Sequence, residues 1–249
     1  MAASTVEQEL ALLRQQHEAL LRAIAHDLRA PLRHVNSFAP LLMESVQELA
    51  QAVQHDPGAQ QAAEDALEFA QHMQQGAQRM AQMVEALTLL SRAVRSSVQL
   101  QPVDARASCQ SAWHEVLARH PQYAQAQLHL PEEPILVQAD AQALTQVWQE
   151  LLANACKFAA PHAQVHLSAQ RQDNGRWWLQ LQDNGVGFDA AHAQMLFQPF
   201  ARMHRESEFP GLGCGLALAQ AWAQRQGARL SIDARVGQGC TVQLDWPAA

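Results

Sequence analysis

The stretch AIAHDLRAPLRHVNSF, residues 23–38, decides how the N-terminal part of the chain folds. Taken with its neighbours, it places apolar residues at Leu21, Ile24, Leu28, Pro31, Val35, Phe38 and Leu42, in alternating steps of three and four. That spacing is the a/d seam of a helical bundle. Outward from it, residues 1 to about 95 are poor in Gly and rich in Ala, Gln, Leu and Glu. His55-Asp56-Pro57-Gly58 interrupts the pattern with a turn signal. A second helix is expected from about Gln60 to Arg95, with Phe69, Met73, Met80, Met83, Leu87 and Leu90 along it. One helical hairpin buries little area alone. Two hairpins can complete a four-helix bundle by dimerising, so a homodimer is expected.

From about Gln101 the period changes. Short β-like runs stand at Gln127–Leu130, Ile135–Gln138, Val165–Arg171, Trp177–Gln182, Leu230–Ala234 and Thr241–Trp246. Helical stretches separate them near Ala105–His120, Ala141–Phe158 and Leu212–Gln226. Strands mixed with helices predict an α+β two-layer sandwich. The reading is therefore a helical domain over residues 1–95, a linker over 96–101 and a second domain over 102–249.

Composition narrows the function classes. The formal net charge is −7, which gives no basis for binding nucleic acid or an anionic membrane. Cys109, Cys156, Cys214 and Cys240 form no CxxC or Cys/His metal spacing, so four reduced thiols in a cytoplasmic protein are expected. No run approaches the roughly 18 apolar residues of a membrane span. The opening MAASTVEQELALLRQQ lacks the basic start and apolar stretch of a signal peptide. Two alternatives stay open for Val6–Leu21: a coiled coil joining a sensor, or the start of a short soluble protein.

With Leu21 at a and Ile24 at d, His26 falls at f, away from the seam and towards solvent. Near neutral pH a neutral imidazole offers one ring nitrogen as a nucleophile. Asp27 follows directly and can hold the proton of the other nitrogen. Pro31 has no backbone donor, so it should bend or loosen the helix one turn further on. The chain has 12 His, and a surface His on a helix usually does nothing. His17, His34 and His55 lack the surrounding pattern.

The second half carries four further elements. In QVWQELLANACKF, residues 146–158, Glu150, Asn154 and Lys157 share one helix face, and Leu151, Leu152 and Phe158 are expected in the core. Asn offers an oxygen to Mg²⁺, a hard cation that shares its shell with phosphate oxygens. Lys157, the single Lys of the chain, can neutralise phosphate charge. QDNGVGFD, residues 182–189, follows the strand RWWLQLQ, with Asp183 at the strand end and Gly185 and Gly187 in the turn. MLFQPFARMH, residues 195–204, offers Phe197 and Phe200 as anchors, and Arg202 and Arg205 as cations, for a mobile segment near Gln198–Pro210. GLGCGLALA, residues 211–219, opens a helix with Gly211, Gly213 and Gly215, which can present N–H groups to phosphate oxygens. It lacks the Lys-Ser/Thr ending of a Walker A loop. A dinucleotide fingerprint is also excluded, because no strand leads directly into it.

The run His-Asp-Leu-Arg-x-Pro-Leu at residues 26–32 resembles the phosphoacceptor motif of sensor histidine kinases. The four later elements resemble, in order, the N, G1, F and G2 boxes of that family's ATP-binding domain, a fold shared with gyrase-type and heat-shock-protein-90-type ATPases. The likeness covers about Leu20 to the end, and Phe200–Ala219 is most similar to phytochrome-type kinases. The resemblance implies ATP-dependent phosphorylation of His26, assisted by Asp27, and transfer to an aspartate on the receiver domain of a response regulator. It implies Mg²⁺ at Asn154, with Glu150 as a second ligand, and adenine recognition by Asp183. It also implies that Gly185, Gly187, Gly211, Gly213 and Gly215 shape the lid and phosphate site, and that Lys157 and Arg202 meet phosphates.

Two positions depart from the family. Ala30 stands where many members carry Thr or Asn to position water, which implies weak phosphatase activity towards the partner. Glu150 stands where most carry Asn, and where the related ATPases carry a water-activating Glu. Two rival readings follow. One is a silent dimerisation and docking module that binds nucleotide or a receiver. The other is an ATP-hydrolysing machine, for which the His26 motif has no use.

Overall fold

The computed structural model describes residues 2–52, 56–205 and 207–249, without the side chains of residues 2–23 and of His192. The chain divides into two compact units, Met1–Ser91 and Arg92–Ala249.

The first unit is a helical hairpin. Helix α1 spans Ala2–Ala52 and continues through Pro31 and Pro40. Helix α2 spans Pro57–Arg95, a few residues earlier than the sequence pattern placed its start. Asp56 begins it: Oδ1 accepts from Gly58 N (3.0 Å) and Ala59 N (3.2 Å), and Pro57 occupies the first turn, where its missing N–H costs nothing. His55 lies outside the described residues. Within one chain, the hairpin does not bury the expected seam. It buries Ala25, Leu32, Ala39 and Val46 of α1, and Ala70, Ala77 and Val84 of α2, each set seven residues apart. Small residues on this line let the two backbones approach closely. Ile24, Leu28, Val35, Phe38 and Leu42 remain exposed, as do Phe69, Met73 and Met80. The larger apolar residues of the a/d seam thus form a second face, which one hairpin leaves open.

The second unit is the two-layer sandwich expected from the sequence. Strand β1 (Gln101–Asp104) leads into helix α3 (Ala105–Arg119). Strands β2 (Gln127–His129) and β3 (Leu136–Ala139) precede helix α4 (Ala141–Ala159). Strands β4 (Gln164–Arg171) and β5 (Arg176–Asp183), helix α5 (Gly215–Arg225) and strands β6 (Arg229–Ala234) and β7 (Cys240–Pro247) complete it. Five strands form one sheet in the order β2-β4-β5-β7-β6, in which only β2 and β4 pair in parallel. Strand β1 pairs antiparallel with β3, Gln101 opposite Ala139. So Gln101, at the end of the expected linker stretch, already belongs to this unit. The sequence pattern gave no strand here, because QPVD carries a single aliphatic residue.

Helix α4 shows why these residues adopt this form. Asp140 caps its first turn by accepting from Gln142 N (3.1 Å) and Ala143 N (3.0 Å). Leu144, Val147, Trp148, Leu151, Leu152 and Ala155 then recur in steps of three and four and are buried. They pack against Leu179 and Leu181 of β5, Val165 and Leu167 of β4, and Leu244 and Trp246 of β7 in one core. Phe158 corrects the sequence reading: it is half-buried at the end of α4, outside that core.

Candidate functional site

On the hairpin, the side chains of His26 and Asp27 are 83% and 80% exposed. His26 Nδ1 lies 3.1 Å from Asp27 Oδ1. A carboxylate only accepts, so this contact requires a proton on Nδ1. One turn on, Arg29 Nη2 donates to Thr88 Oγ1 (2.9 Å), which fixes this turn of α1 against α2.

In the second unit, the polar face of α4 meets the glycine-rich segment that opens α5. A Cβ built at Gly215 would lie 2.7 Å from Glu150 Oε2 and 3.3 Å from the Asn154 amide nitrogen. The first turn of α5 therefore comes close to these two side chains, and a larger residue at Gly215 would push the Glu150 carboxylate aside. A Cβ at Gly211 would lie 3.5 Å from Lys157 Nζ. Burial pushes the Glu150 carboxyl up, while Lys157 and Arg119 draw it back down. Burial and the nearby Arg202 push the Lys157 amine down, while Glu150 holds it up. Each group's charge thus favours the ionised form of the other, against the effect of burial. Glu150 and Asn154 provide the hard oxygen donors that suit Mg²⁺. Among the described residues no group of three or more His, Cys, Asp or Glu converges on a metal position.

Asp183 ends β5 and is held by one oxygen. Its Oδ1 accepts from Gly185 N (2.8 Å) and Cys240 N (3.2 Å), which leaves Oδ2 free to accept from a ligand. Burial pushes this carboxyl up, and the two N–H donors oppose that shift. Gly187 has φ +59, and a Cβ there would lie 2.0 Å from Arg235 O, so the loop can press against the β6–β7 turn only with glycine. Gly213 closes the segment after the short helix Ala190–Phe197 by accepting from Phe200 N (3.0 Å). Arg202 spends its guanidinium on the carbonyls of Phe209 and Gly211 within that same segment. Glu150, Asn154 and Lys157 therefore gather with Gly211 and Gly215, and Asp183 with Gly185. His26 and Asp27 belong to the other unit.

Three side chains here were given no part in the site from sequence, Phe158 having been read as core: Phe158, His204 and Phe209, whose rings cluster at 5.0 to 5.6 Å. No spacing rule marks them, because they come from two segments about 50 residues apart.

Residues 139–249 match the family model described as histidine kinase-, DNA gyrase B- and HSP90-like ATPase. Cyanobacterial phytochrome A of a Nostoc species is 26% identical over 90% of this chain and 27% of its own length. The adaptive-response sensory kinase SasA of Thermosynechococcus vestitus is 25% identical over 99% of this chain and 67% of its own length. The chain is thus similar to histidine kinase-type ATPases over residues 139–249, and to curated sensory and histidine protein kinases over about nine-tenths of its length or more. Most of these relatives are longer: the chain spans about a quarter to a third of several of them, phytochrome A included. Among solved structures, full-length ShkA in complex with AMPPNP covers 93% of this chain at 21% identity and a TM-score of 0.60, with 46% of ShkA matched. The mycobacterial sensor histidine kinase MprB covers 60% at 23% identity and a TM-score of 0.53, with 98% of that chain matched. At these identities the two structures speak for the fold. Among the described residues, no helix is long and apolar enough to cross a membrane.

Proposed function

We propose that the chain is a cytoplasmic two-component histidine kinase core that uses ATP to phosphorylate His26 and passes the phosphoryl group to an aspartate on a response regulator. The observation that carries this is the pairing of His26 with Asp27 in a chain that also presents Asp183, with one oxygen committed and one free. Asp183 Oδ2 accepts from the adenine amino group. Lys157 faces the phosphates, and the N–H groups opening α5 receive phosphate oxygens. Glu150 and Asn154 hold Mg²⁺, which offsets charge on the transferring group. His26 Nε2 attacks the γ-phosphorus, the bond from that phosphorus to the ADP oxygen breaks, and Asp27 holds the Nδ1 proton and stabilises the cationic ring. The residues mostly position and neutralise charge.

The open apolar face of the hairpin supports a homodimer. Ala30 carries no hydrogen-bonding group to position water, which supports weak phosphatase activity. Brisk dephosphorylation of a purified phospho-regulator by this chain would contradict that second point.

The test is incubation with radiolabelled ATP and Mg²⁺ beside a His26→Ala control. Acid-labile, base-stable label on the wild type alone is the expected result. Nucleotide binding without label would favour the docking-module reading instead.

A further inference from the structure

The segment from Phe200 to Gly213 is fastened to itself by Arg202 and to the loop after β5 by His204, a side chain that the sequence motifs leave without a role. Phe200 N donates to Gly213 O and closes its base. Inside, Arg202 ties the carbonyls of Phe209 and Gly211. His204 reaches out of the segment: its Nε2 is 3.1 Å from Gly187 O. A carbonyl only accepts, so Nε2 carries the proton. The His204 ring packs at 5.6 Å on Phe158 and 5.1 Å on Phe209, tilted in both cases, which suits aromatic contact. Phe158 in turn lies under Lys157 Nζ, 4.3 Å from its ring centre. Its carbonyl accepts from Val186 N (3.1 Å), in the same loop as Gly187. One imidazole therefore joins the glycine-rich lid, the end of α4 that carries Lys157, and the loop that follows Asp183.

We propose that His204 is a positioning residue for nucleotide binding, latching the lid that carries Gly211 and Gly213 to the loop that carries Asp183 and Gly185. This rests on the nucleotide-binding reading above. The latch fixes the separation between the part of the site that meets the base and the part that meets the phosphates. Ligands with both ends, ATP and ADP, gain from it. Adenosine, which uses the Asp183 side alone, does not.

The test is calorimetric titration of ATP, ADP and adenosine into the 249-residue chain and into His204→Ala, His204→Gln and His204→Phe. One hydrogen bond and two ring contacts together correspond to about tenfold or more in affinity. His204→Ala is expected to weaken ATP and ADP by about that factor and adenosine by less than about twofold. His204→Gln keeps a donor near the Nε2 position and His204→Phe keeps the ring. Each should recover part of the loss, and both carry the test if the alanine variant melts early. In autophosphorylation the KM for ATP should rise by the same factor while the saturated rate holds.

Loss of ATP and adenosine affinity alike, or ATP binding within about twofold of wild type, overturns the latch while leaving the nucleotide reading intact. A wild-type chain that binds no ATP overturns both.

Discussion

In the second unit Trp148, Leu152, Leu179, Leu244 and Trp246 are completely enclosed, whereas the hairpin leaves Phe38, Phe69 and Met73 exposed at 66%, 65% and 61%. The sandwich closes its core within one chain. The hairpin buries a line of mostly small residues and turns its larger ones outward. The difference separates two tasks. A nucleotide site needs side chains fixed to a fraction of an ångström, and a closed core supplies that rigidity. The proposed phosphoacceptor needs access, and a two-helix unit that leaves its larger apolar residues exposed also leaves His26 in solvent.

The sharpest way to break this contrast is to cut one side chain in each unit. Leu152→Ala should destabilise the sandwich by about 2–5 kcal/mol, because it opens a cavity in a closed core. Leu42→Ala, at a position half-exposed in one chain, should cost the hairpin far less at concentrations where the protein is monomeric. Urea unfolding of both variants checks this, and equal losses would show that the hairpin face is already buried. Phe38→Glu asks the same question of association. In a symmetric dimer the change enters twice, and interface anchors are typically worth about 2 kcal/mol or more each. Sedimentation should then show a dimer for wild type and a monomer for the variant. A variant dimer as tight as wild type would remove the bundle reading.

Asp183→Asn tests the fixed side of the comparison. The amide oxygen can still accept from Gly185 N and Cys240 N, so the loop should keep its form. The amide nitrogen then points where Oδ2 stood and sets a donor against the adenine amino group. ATP affinity should fall by about tenfold to a hundredfold, the range for losing a hydrogen bond to a charged group. Affinity within about twofold of wild type would remove Asp183 from base recognition.

How much of this was legible in the sequence follows from the same contrast. The elements of the sandwich were readable because periodicity reports burial, and here burial is settled inside the chain: Leu144, Val147, Leu151 and Leu152 are both the pattern and the core. Along α1 the same rule marked an apolar seam that one chain leaves exposed, and the hairpin packs on Ala25, Leu32 and Ala39 instead. Alanine carries too little apolar signal to mark an interface. In the site, the glycines and Glu150, Asn154, Lys157 and Asp183 were visible because their types and order are unusual. The cluster of Phe158, His204 and Phe209 was not. Phe158 read as core from its helix phase, and nothing local links it to a loop so far along the chain. Strand β1 went unseen because its pairing with β3 draws on backbone groups more than on side-chain pattern.

The smallest stability effect is expected at Glu150. Burial makes its charged form unfavourable, so the folded chain holds a proton there more readily than the unfolded chain does. Between the ordinary glutamate range and the raised native one, the folded state therefore binds more protons, and stability falls as pH rises. Glu150→Gln should remove that slope. The variant should melt slightly above wild type near neutral pH, and the gap should close as pH falls through the ordinary glutamate range. Lys157 loses a counter-charge in the variant, which offsets part of the gain. A variant that melts lower than wild type at every pH would mean that the pair with Lys157 outweighs burial. A carboxylate kept where its charge costs stability needs a use, and two are open: holding Mg²⁺, the role favoured here, or activating water. In a His26→Ala background, Glu150→Gln separates them. Unchanged background ATP hydrolysis removes the water-activating role, and weaker Mg²⁺-dependent nucleotide binding supports the metal ligand.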